Sequence, residues 1–127
     1  MKAYISCPVH FSQDRLHLMP VIEKIVQSKG IDTFVFQVGG VPKDIFERDF
    51  KAISTSDLLI TEVSEPSHGV GAEIGMSFCL NLKRILLLEK GKQVSRLVQG
   101  MPNTTIIEYE NLEDLKSKLL AALPSKP

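Results

Sequence analysis

One stretch of the sequence combines residue types that could carry out chemistry. Glu73 follows a polar loop that contains Ser64, Ser67, Gly69 and Gly71. The glycines would let the backbone approach a bound group, and the hydroxyls, with the unpaired N–H groups of a helix start, could hold a phosphate. Those N–H groups also favour negative charge. Because we place Glu73 in the first turn of the helix, we expect its carboxylate to be ionised at neutral pH unless burial opposes this.

The loop that carries these residues separates a strand from a helix. Residues 58–60 form a short apolar run, which is typical of a strand covered on both faces. Pro66 ends the strand pattern because proline cannot donate to a sheet ladder, and a helical pattern follows over 71–82. In α/β proteins the functional crevice lies at the carboxyl ends of parallel strands. The sequence therefore predicts an ionised carboxylate beside an anion-binding loop.

Strand and helix patterns alternate five times along the chain. Predicted strands cover residues 2–6, 32–36, 57–63, 84–88 and 104–109. Predicted helices cover residues 18–29, 42–53, 71–82, 93–99 and 112–123. This alternation predicts one α/β domain over residues 1–127, a three-layer flavodoxin-like or Rossmann-like fold with a five-stranded parallel sheet. The loops 7–14, 37–42 and 64–73 would then meet around one crevice.

Composition narrows the class of partner. Fifteen lysines and arginines balance fifteen aspartates and glutamates, so there is no basic excess for a nucleic-acid polymer or an anionic membrane. No apolar run approaches the ~18 residues of a membrane span, and no secretory leader precedes the first strand pattern. Cys7 and Cys79 fit free thiols in a reducing compartment. We expect a cytoplasmic protein that binds a small phosphorylated molecule.

Each candidate residue also has a purely structural interpretation. Glu73 could complement the helix dipole, and Asp49 could be a solvated side chain paired with Lys43 or Arg48. Tyr4 could be a core aromatic residue. Residues 69–75 match a dinucleotide fingerprint only superficially, because the third glycine is one position late and the motif follows the third strand. The three histidines lack the spacing of a zinc site, so no metal site is expected.

A longer match adds to these observations. Residues 57–75, DLLITEVSEPSHGVGAEIG, followed by NLKRIL at 81–86, resemble the nucleoside 2-deoxyribosyltransferase superfamily. Within it, they are most similar to the 2'-deoxynucleoside 5'-phosphate N-hydrolases, which show E-V-(S/T)-x-P-S and then G-V-G-x-E-(L/I)-G. The resemblance runs from Tyr4 to about Tyr109.

The resemblance implies roles for individual residues. Glu73 falls on the nucleophilic glutamate of the family, Asp49 on its second catalytic carboxylate, and Tyr4 on the tyrosine of the first strand. Ser67 stands where deoxyribosyltransferases that act on free nucleosides usually have an aspartate. A serine can donate to a 5'-phosphate, whereas an aspartate would repel it.

The first loop departs from the family pattern. Cys7-Pro8-Val9-His10 stands where the family has glycine, serine and an arginine. Pro8 removes a backbone donor, and His10 could replace the arginine only when protonated or as a neutral donor. The resemblance also implies a homodimer with a shared active site, in which the partner contributes a polar residue near the phosphate. Asn103 or Thr104 is the candidate for that residue.

The implied reaction is hydrolysis of the N-glycosidic bond of a 2'-deoxynucleoside 5'-monophosphate. It would give free base and 2-deoxyribose 5-phosphate, and it requires no metal or redox cofactor. Two alternatives stay open from the sequence: base exchange on free deoxynucleosides, and a non-catalytic nucleotide-binding module. A ribonucleotide N-hydrolase is a narrower variant of the hydrolase hypothesis.

Overall fold

Strands and helices alternate through residues 1–124, the part of the chain that this structure, a computed structural model, describes. The strands are β1 (Lys2–Ser6), β2 (Asp32–Val35), β3 (Leu58–Glu62), β4 (Lys83–Glu89) and β5 (Thr104–Tyr109). The helices are α1 (Leu18–Gln27), α2 (Pro42–Ser54), α3 (His68–Cys79), α4 (Arg96–Gln99) and α5 (Leu112–Ala122). These bounds lie close to the predicted ones except at the starts of α3 and α4.

The five strands form one parallel sheet in the order β2-β1-β3-β4-β5. This confirms the predicted parallel sheet, and the order is that of flavodoxin-like folds. The strand order reverses between β1 and β3, which pair with Tyr4 opposite Leu59 and Ser6 opposite Thr61. In such sheets ligands bind beyond the carboxyl ends of the strands at that reversal.

Helices cover both faces of the sheet, as the prediction of three layers requires. Leu18 of α1 and Leu115 of α5 pack with Ile5 on one face. Ile53 of α2 and Ile74 of α3 pack on the other face. Because successive side chains of a strand point to opposite faces, Tyr4 lies with α2 and α3, whereas its neighbour Ile5 lies with α1 and α5.

The start of α3 differs from the prediction, and the difference concerns the site. The helix begins at His68 because Ser67 caps it: the Ser67 hydroxyl accepts a 3.2 Å hydrogen bond from the Val70 N–H. Glu73 therefore lies in the second turn, not in the first turn as predicted. The unpaired N–H groups of the first turn do not reach it, so the dipole argument for its ionisation is wrong.

The short helix α4 also begins later than predicted. Ser95, rather than a residue near 93, caps it by accepting a hydrogen bond from the Leu97 N–H. Over residues 1–124, none of the helices has the length and apolar character needed to cross a membrane.

Candidate active site

The carboxylate of Glu73 is held by two hydroxyls from β1. The Tyr4 phenol donates a 2.5 Å hydrogen bond to Oε2, and the Ser6 hydroxyl lies 2.9 Å from Oε1. Tyr4 and Ser6 are themselves buried, with 0% and 1% of their surface exposed. Both oxygens of Glu73 are thus fixed in direction by strand residues rather than by its own helix.

Burial dominates the charge state of Glu73. Removal from water raises the pKa of its carboxyl to about 7, and the nearby charge of Asp49 acts in the same direction. The hydrogen bonds from Tyr4 and Ser6 oppose the shift because they stabilise the charged form. The expected ionisation is therefore only partial at neutral pH, since burial outweighs the hydroxyl donors.

Sequence reasoning missed Ser6. The signal was the period of a strand: residues 4 and 6 of β1 point to the same face, so a Tyr4 that meets Glu73 brings Ser6 with it. Thr61 of β3 lies directly beside Ser6 and on the same face, with its Oγ1 2.8 Å from the Ser6 Oγ. The hydroxyl of β3 is thus linked to Glu73 through the hydroxyl of Ser6 on the adjacent strand β1.

Asp49 projects from α2 towards the same region. Its Oδ1 accepts a 3.1 Å hydrogen bond from Arg48 Nε, and the Arg48 guanidinium also donates to the Gln37 carbonyl at 2.9 Å. The pairing with Arg48 was one of the structural interpretations drawn from the sequence. The side chain is nevertheless 17% exposed and borders a cleft with Glu73.

The cleft lies at the carboxyl ends of β1 and β2 and has a volume of about 200 Å³. Polar groups are concentrated at Asp49, Glu73, Ser67 and Gln37. The remaining lining is mostly apolar and includes side chains that sequence reasoning did not single out. These are Val9, Phe36, Val38, Ile45 and Val70. An apolar enclosure with a few polar groups is typical of a small-molecule site.

The structure separates the two loop glycines and places Cys7 within the cleft wall. Gly69 borders the cleft together with Ser67 and Cys7. Gly71 instead faces a second groove between α3 and α4, so its predicted contact with the substrate is not supported within one chain. Burial raises the pKa of the Cys7 thiol to about 12, with Glu62 and Glu73 adding to the effect, so this thiol is not activated.

Ser64 is placed outside the cleft, contrary to the prediction that it binds phosphate. Its hydroxyl donates to Glu62 Oε2 at 2.7 Å and accepts from the Glu89 N–H, while its own N–H donates to Glu62 Oε1. Glu62 is fully buried, and the Tyr109 phenol also donates to it. A buried carboxylate requires such donors, which explains why Ser64 turns towards Glu62. Arg15 lies 3.8 Å from the same carboxylate.

The two remaining predicted residues are not among those that line the cleft. His10 is exposed on the first loop, where its ring stacks 6.4 Å from that of His68 at the start of α3. Asn103 lies in the turn before β5, at the amino-terminal edge of the sheet and so opposite the cleft. Within one chain Asn103 cannot reach the cleft, and its predicted role requires a partner subunit.

The arrangement suits chemistry on an electron-poor carbon. A carboxylate that is oriented, largely buried and close to its neutral-pH midpoint can act as a nucleophile or stabilise developing positive charge. Among residues 1–124, no group of three or more His, Cys, Asp or Glu side chains could hold a metal ion.

Proteins of similar sequence are named as nucleotide N-hydrolases. A 2'-deoxynucleoside 5'-phosphate N-hydrolase 1 from Thermofilum pendens is 31% identical over 98% of this chain and 96% of that protein. One from Syntrophotalea carbinolica is 39% identical over 63% of this chain and 59% of that protein. The 5-hydroxymethyl-dUMP N-hydrolase of Danio rerio is 33% identical over 57% of this chain and 52% of that protein. No family model matches the sequence.

Solved structures share the fold. A CMP N-glycosidase from Clostridium botulinum superimposes with a TM-score of 0.73 at 23% identity, over 94% of this chain and 98% of that chain. A 2-deoxyribosyltransferase from Bacillus psychrosaccharolyticus gives 0.70 at 20% identity, over 100% of this chain and 98% of that chain. These likenesses support the fold class, and the sequence relatives confirm the resemblance drawn from residues 57–75.

Proposed function

The chain belongs to the family of 2'-deoxynucleoside 5'-phosphate N-hydrolases, and we propose that it cleaves the N-glycosidic bond of a 2'-deoxynucleoside 5'-monophosphate. The products are free base and 2-deoxyribose 5-phosphate. The observation that carries the proposal is the carboxylate of Glu73, which borders the cleft with its two oxygens held by Tyr4 and Ser6. Nucleophilic attack needs such a fixed and desolvated carboxylate.

The reaction proceeds in two steps at C1'. Glu73 forms a bond to C1' while the base leaves with the electron pair of the C1'–N bond and takes up a proton from Asp49 or from solvent water. Water then attacks C1', returns a proton to that same group, and releases Glu73 as a carboxylate. Two displacements give retention at C1'. The developing positive charge on the sugar is stabilised by the same carboxylate.

Asp49 and Tyr4 support Glu73 in different ways. Asp49 either exchanges the proton with the leaving base and the water or orients the sugar by accepting a hydrogen bond. Its Oδ1 already accepts a hydrogen bond from Arg48 Nε, which holds the side chain in place and supports the orienting role. Tyr4 fixes Glu73 Oε2 by its hydrogen bond. We propose that the phenol also occupies the space that the 2'-hydroxyl of a ribose would need.

The phosphate is proposed to bind at the amino terminus of α3. Ser67 and Gly69 lie there beside the cleft, and the first-turn N–H groups of a helix attract anions. His10 replaces the arginine of the family pattern as the donor from the first loop. Ser64 has no part in this site because its hydroxyl is engaged by Glu62.

We propose a homodimer whose interface is the groove between α3 and α4. The groove measures about 670 Å³ and is mainly apolar. Phe78 and Leu97 line it with 46% and 83% of their surfaces exposed. Gly71 and Gly75 line it too, and a Cβ added at either glycine would meet nothing within 4 Å in one chain. Such an open helix face allows close approach of a second backbone.

The turn that carries Asn103 adjoins this interface. Pro102 lines the same groove, and the buried Arg84 side chain holds the turn by donating to Thr104 Oγ1 at 2.9 Å and to the Pro102 carbonyl. When a second chain binds to this groove, Asn103 of the first chain is proposed to lie near the cleft of the second. This is what a shared active site requires. The free thiols of Cys7 and Cys79 agree with a cytoplasmic location.

A substrate screen tests the proposed reaction. Purified protein is incubated with deoxy- and ribonucleoside monophosphates and with the matching nucleosides, and released base is measured by chromatography. Base release from deoxynucleotides is expected, with free nucleosides and ribonucleotides cleaved more slowly. A second free base in the mixture identifies base exchange, since a swapped deoxynucleoside would then accumulate. If no base is released from any compound, the proposed hydrolysis is contradicted and the alternative of a non-catalytic binding module is favoured.

A further inference from the structure

Two buried hydroxyl groups form a hydrogen-bonded chain that ends at the carboxylate of Glu73. Thr61 Oγ1 lies 2.8 Å from Ser6 Oγ, and Ser6 Oγ lies 2.9 Å from Glu73 Oε1. Thr61 and Ser6 have 0% and 1% of their surfaces exposed. The next nearest acceptor for Thr61 is the Glu62 carbonyl, at 3.5 Å. The chain crosses from β3 to β1 and reaches Oε1 of the carboxylate, whereas Tyr4 contacts Oε2.

Counting protons fixes the direction of this chain. A hydroxyl has one proton to donate and can accept as well. An ionised Glu73 can only accept, so Ser6 must donate to Oε1 and must accept from Thr61. If Glu73 were protonated on Oε1, Ser6 would have to accept from it and donate to Thr61, which then has only the distant Glu62 carbonyl to donate to. The arrangement therefore matches the charged form of Glu73 better.

We propose that Ser6, supported by Thr61, is a positioning residue that fixes Glu73 Oε1 and stabilises the carboxylate over the carboxylic acid. Ser6 does not touch the reacting carbon. Its effect reaches the reaction through the proportion of Glu73 that is ionised and through the direction of Oε1. This inference rests on the proposed function of Glu73 as the nucleophile.

The groups that face Glu73 act in opposite directions. Asp49 of α2 disfavours its charge, as does the burial of the site. Tyr4 and Ser6 of β1 favour its charge by donating hydrogen bonds. Cys7, in the loop after β1, is neutral at physiological pH because its pKa is raised to about 12. Ser6 is thus one of two hydrogen-bond donors that stabilise the ionised form of Glu73, which burial disfavours.

Replacing Ser6 separates its effect from that of Tyr4. Ser6→Ala removes the charge-assisted hydrogen bond to Oε1, and we expect the acid limb of the pH–kcat/KM profile to move upward by roughly one pH unit. Thr61→Val keeps the shape and the Ser6 donor, so a smaller upward movement is expected. Ser54→Ala, at the exposed end of α2, is the matched control and leaves the profile in place.

A second readout does not require turnover. The infrared band of the protonated carboxyl is titrated in each variant and assigned to Glu73 by its loss in Glu73→Gln. The midpoint of this band should move upward in Ser6→Ala as the acid limb does. If Ser6→Ala does not fold, Ser6→Cys keeps the volume with a weaker donor, and its midpoint should move in the same direction.

The two readouts distinguish the failure of this inference from that of the proposed function. An infrared midpoint that stays at the wild-type pH in folded Ser6→Ala or Ser6→Cys overturns the role of Ser6, whatever the activity. Absence of base release by the wild type overturns the proposed reaction, while a moved infrared midpoint would still establish that Ser6 stabilises the charged form of Glu73.

Discussion

Tyr4 of the first strand donates a 2.5 Å hydrogen bond to Glu73 of the third helix, across 69 positions of the sequence. The phenol is fully buried, and burial together with the charge of Glu73 raises its pKa, so it remains a donor over the physiological range. Tyr4 therefore holds Oε2 whatever the charge of the carboxyl. The orientation of Glu73 is set by the sheet, and its reactivity is set by its protonation.

The rate of base release should depend on the ionisation of Glu73. Burial raises the pKa of this carboxyl to about 7, and only the ionised form can attack C1'. We expect kcat/KM to rise about tenfold per pH unit below that midpoint and to level off above it. A profile measured from pH 5 to 9 checks this, and a rate that is already constant at pH 5 would show that Glu73 titrates near its ordinary value.

The same raised pKa should make Glu73 a cost to stability at alkaline pH. The unfolded chain loses the proton at an ordinary pKa of 4.5, whereas the folded chain retains it up to about 7. The free energy of unfolding therefore falls as the pH rises from 4.5 to 7 and stays lower above that range, by roughly 3 kcal/mol. Glu73→Gln removes this cost.

Thermal unfolding at two pH values tests that linkage. At pH 8 the Glu73→Gln variant should have a higher Tm than the wild type. At pH 4.5 the difference should shrink, because Glu73 of the folded wild type is then protonated and carries no buried charge. A variant that is less stable than the wild type at both pH values would show that Tyr4 and Ser6 compensate the burial of Glu73.

Asp49 should contribute to turnover from the adjacent helix. Asp49→Asn keeps its shape but removes the charge and the acceptor for Arg48, and we expect kcat to fall roughly 10²–10³-fold. Asp44→Asn, on the exposed start of the same helix, is the matched control and should keep wild-type kcat. Equal kcat values for the two variants would place Asp49 outside the reaction.

We expect the groove between α3 and α4 to be covered by the second chain when two chains associate. Gly75→Arg fits within a single chain, because a Cβ there meets nothing within 4 Å, and it improves helix propensity. It places a charge on the apolar groove, so sedimentation should show a folded monomer where the wild type is a dimer. Ser117→Arg, exposed on α5, should remain dimeric. A monomeric wild type at micromolar concentration would contradict the proposed interface.

Local sequence patterns predicted the fold more completely than they predicted the candidate active site. The apolar strands and amphipathic helices carried their own periodicity, so the five-stranded parallel sheet was predictable. The start of α3 was not, because Ser67 and Ser64 are both hydroxyl residues near a glycine-rich turn and only Ser67 caps the helix. A shift of three residues moved Glu73 out of the first turn, so the N–H groups at the helix start do not stabilise its charge, and burial raises its pKa instead.

Partners that lie far apart in sequence explain the remaining differences at the site. Ser64 turns away from the cleft because the buried Glu62 needs donors, which it finds in Ser64 and Tyr109. The approach of Tyr109 depends on β5 and could not be deduced from the loop itself. The contact of Ser6 with Glu73, in contrast, could have been predicted once Tyr4 was assigned to the site. Residues 4 and 6 of a strand point to the same face.

Glu73→Gln tests the central claim most directly, with Glu47→Gln on the exposed face of α2 as the matched control. Base release is followed with the deoxynucleoside monophosphate that the wild type cleaves fastest, and binding of the same nucleotide is measured by calorimetry. We predict a fall of roughly 10³-fold or more in base release with binding retained, because the amide keeps the shape of the carboxyl but cannot attack C1'. Base release at the wild-type rate by Glu73→Gln would contradict the account.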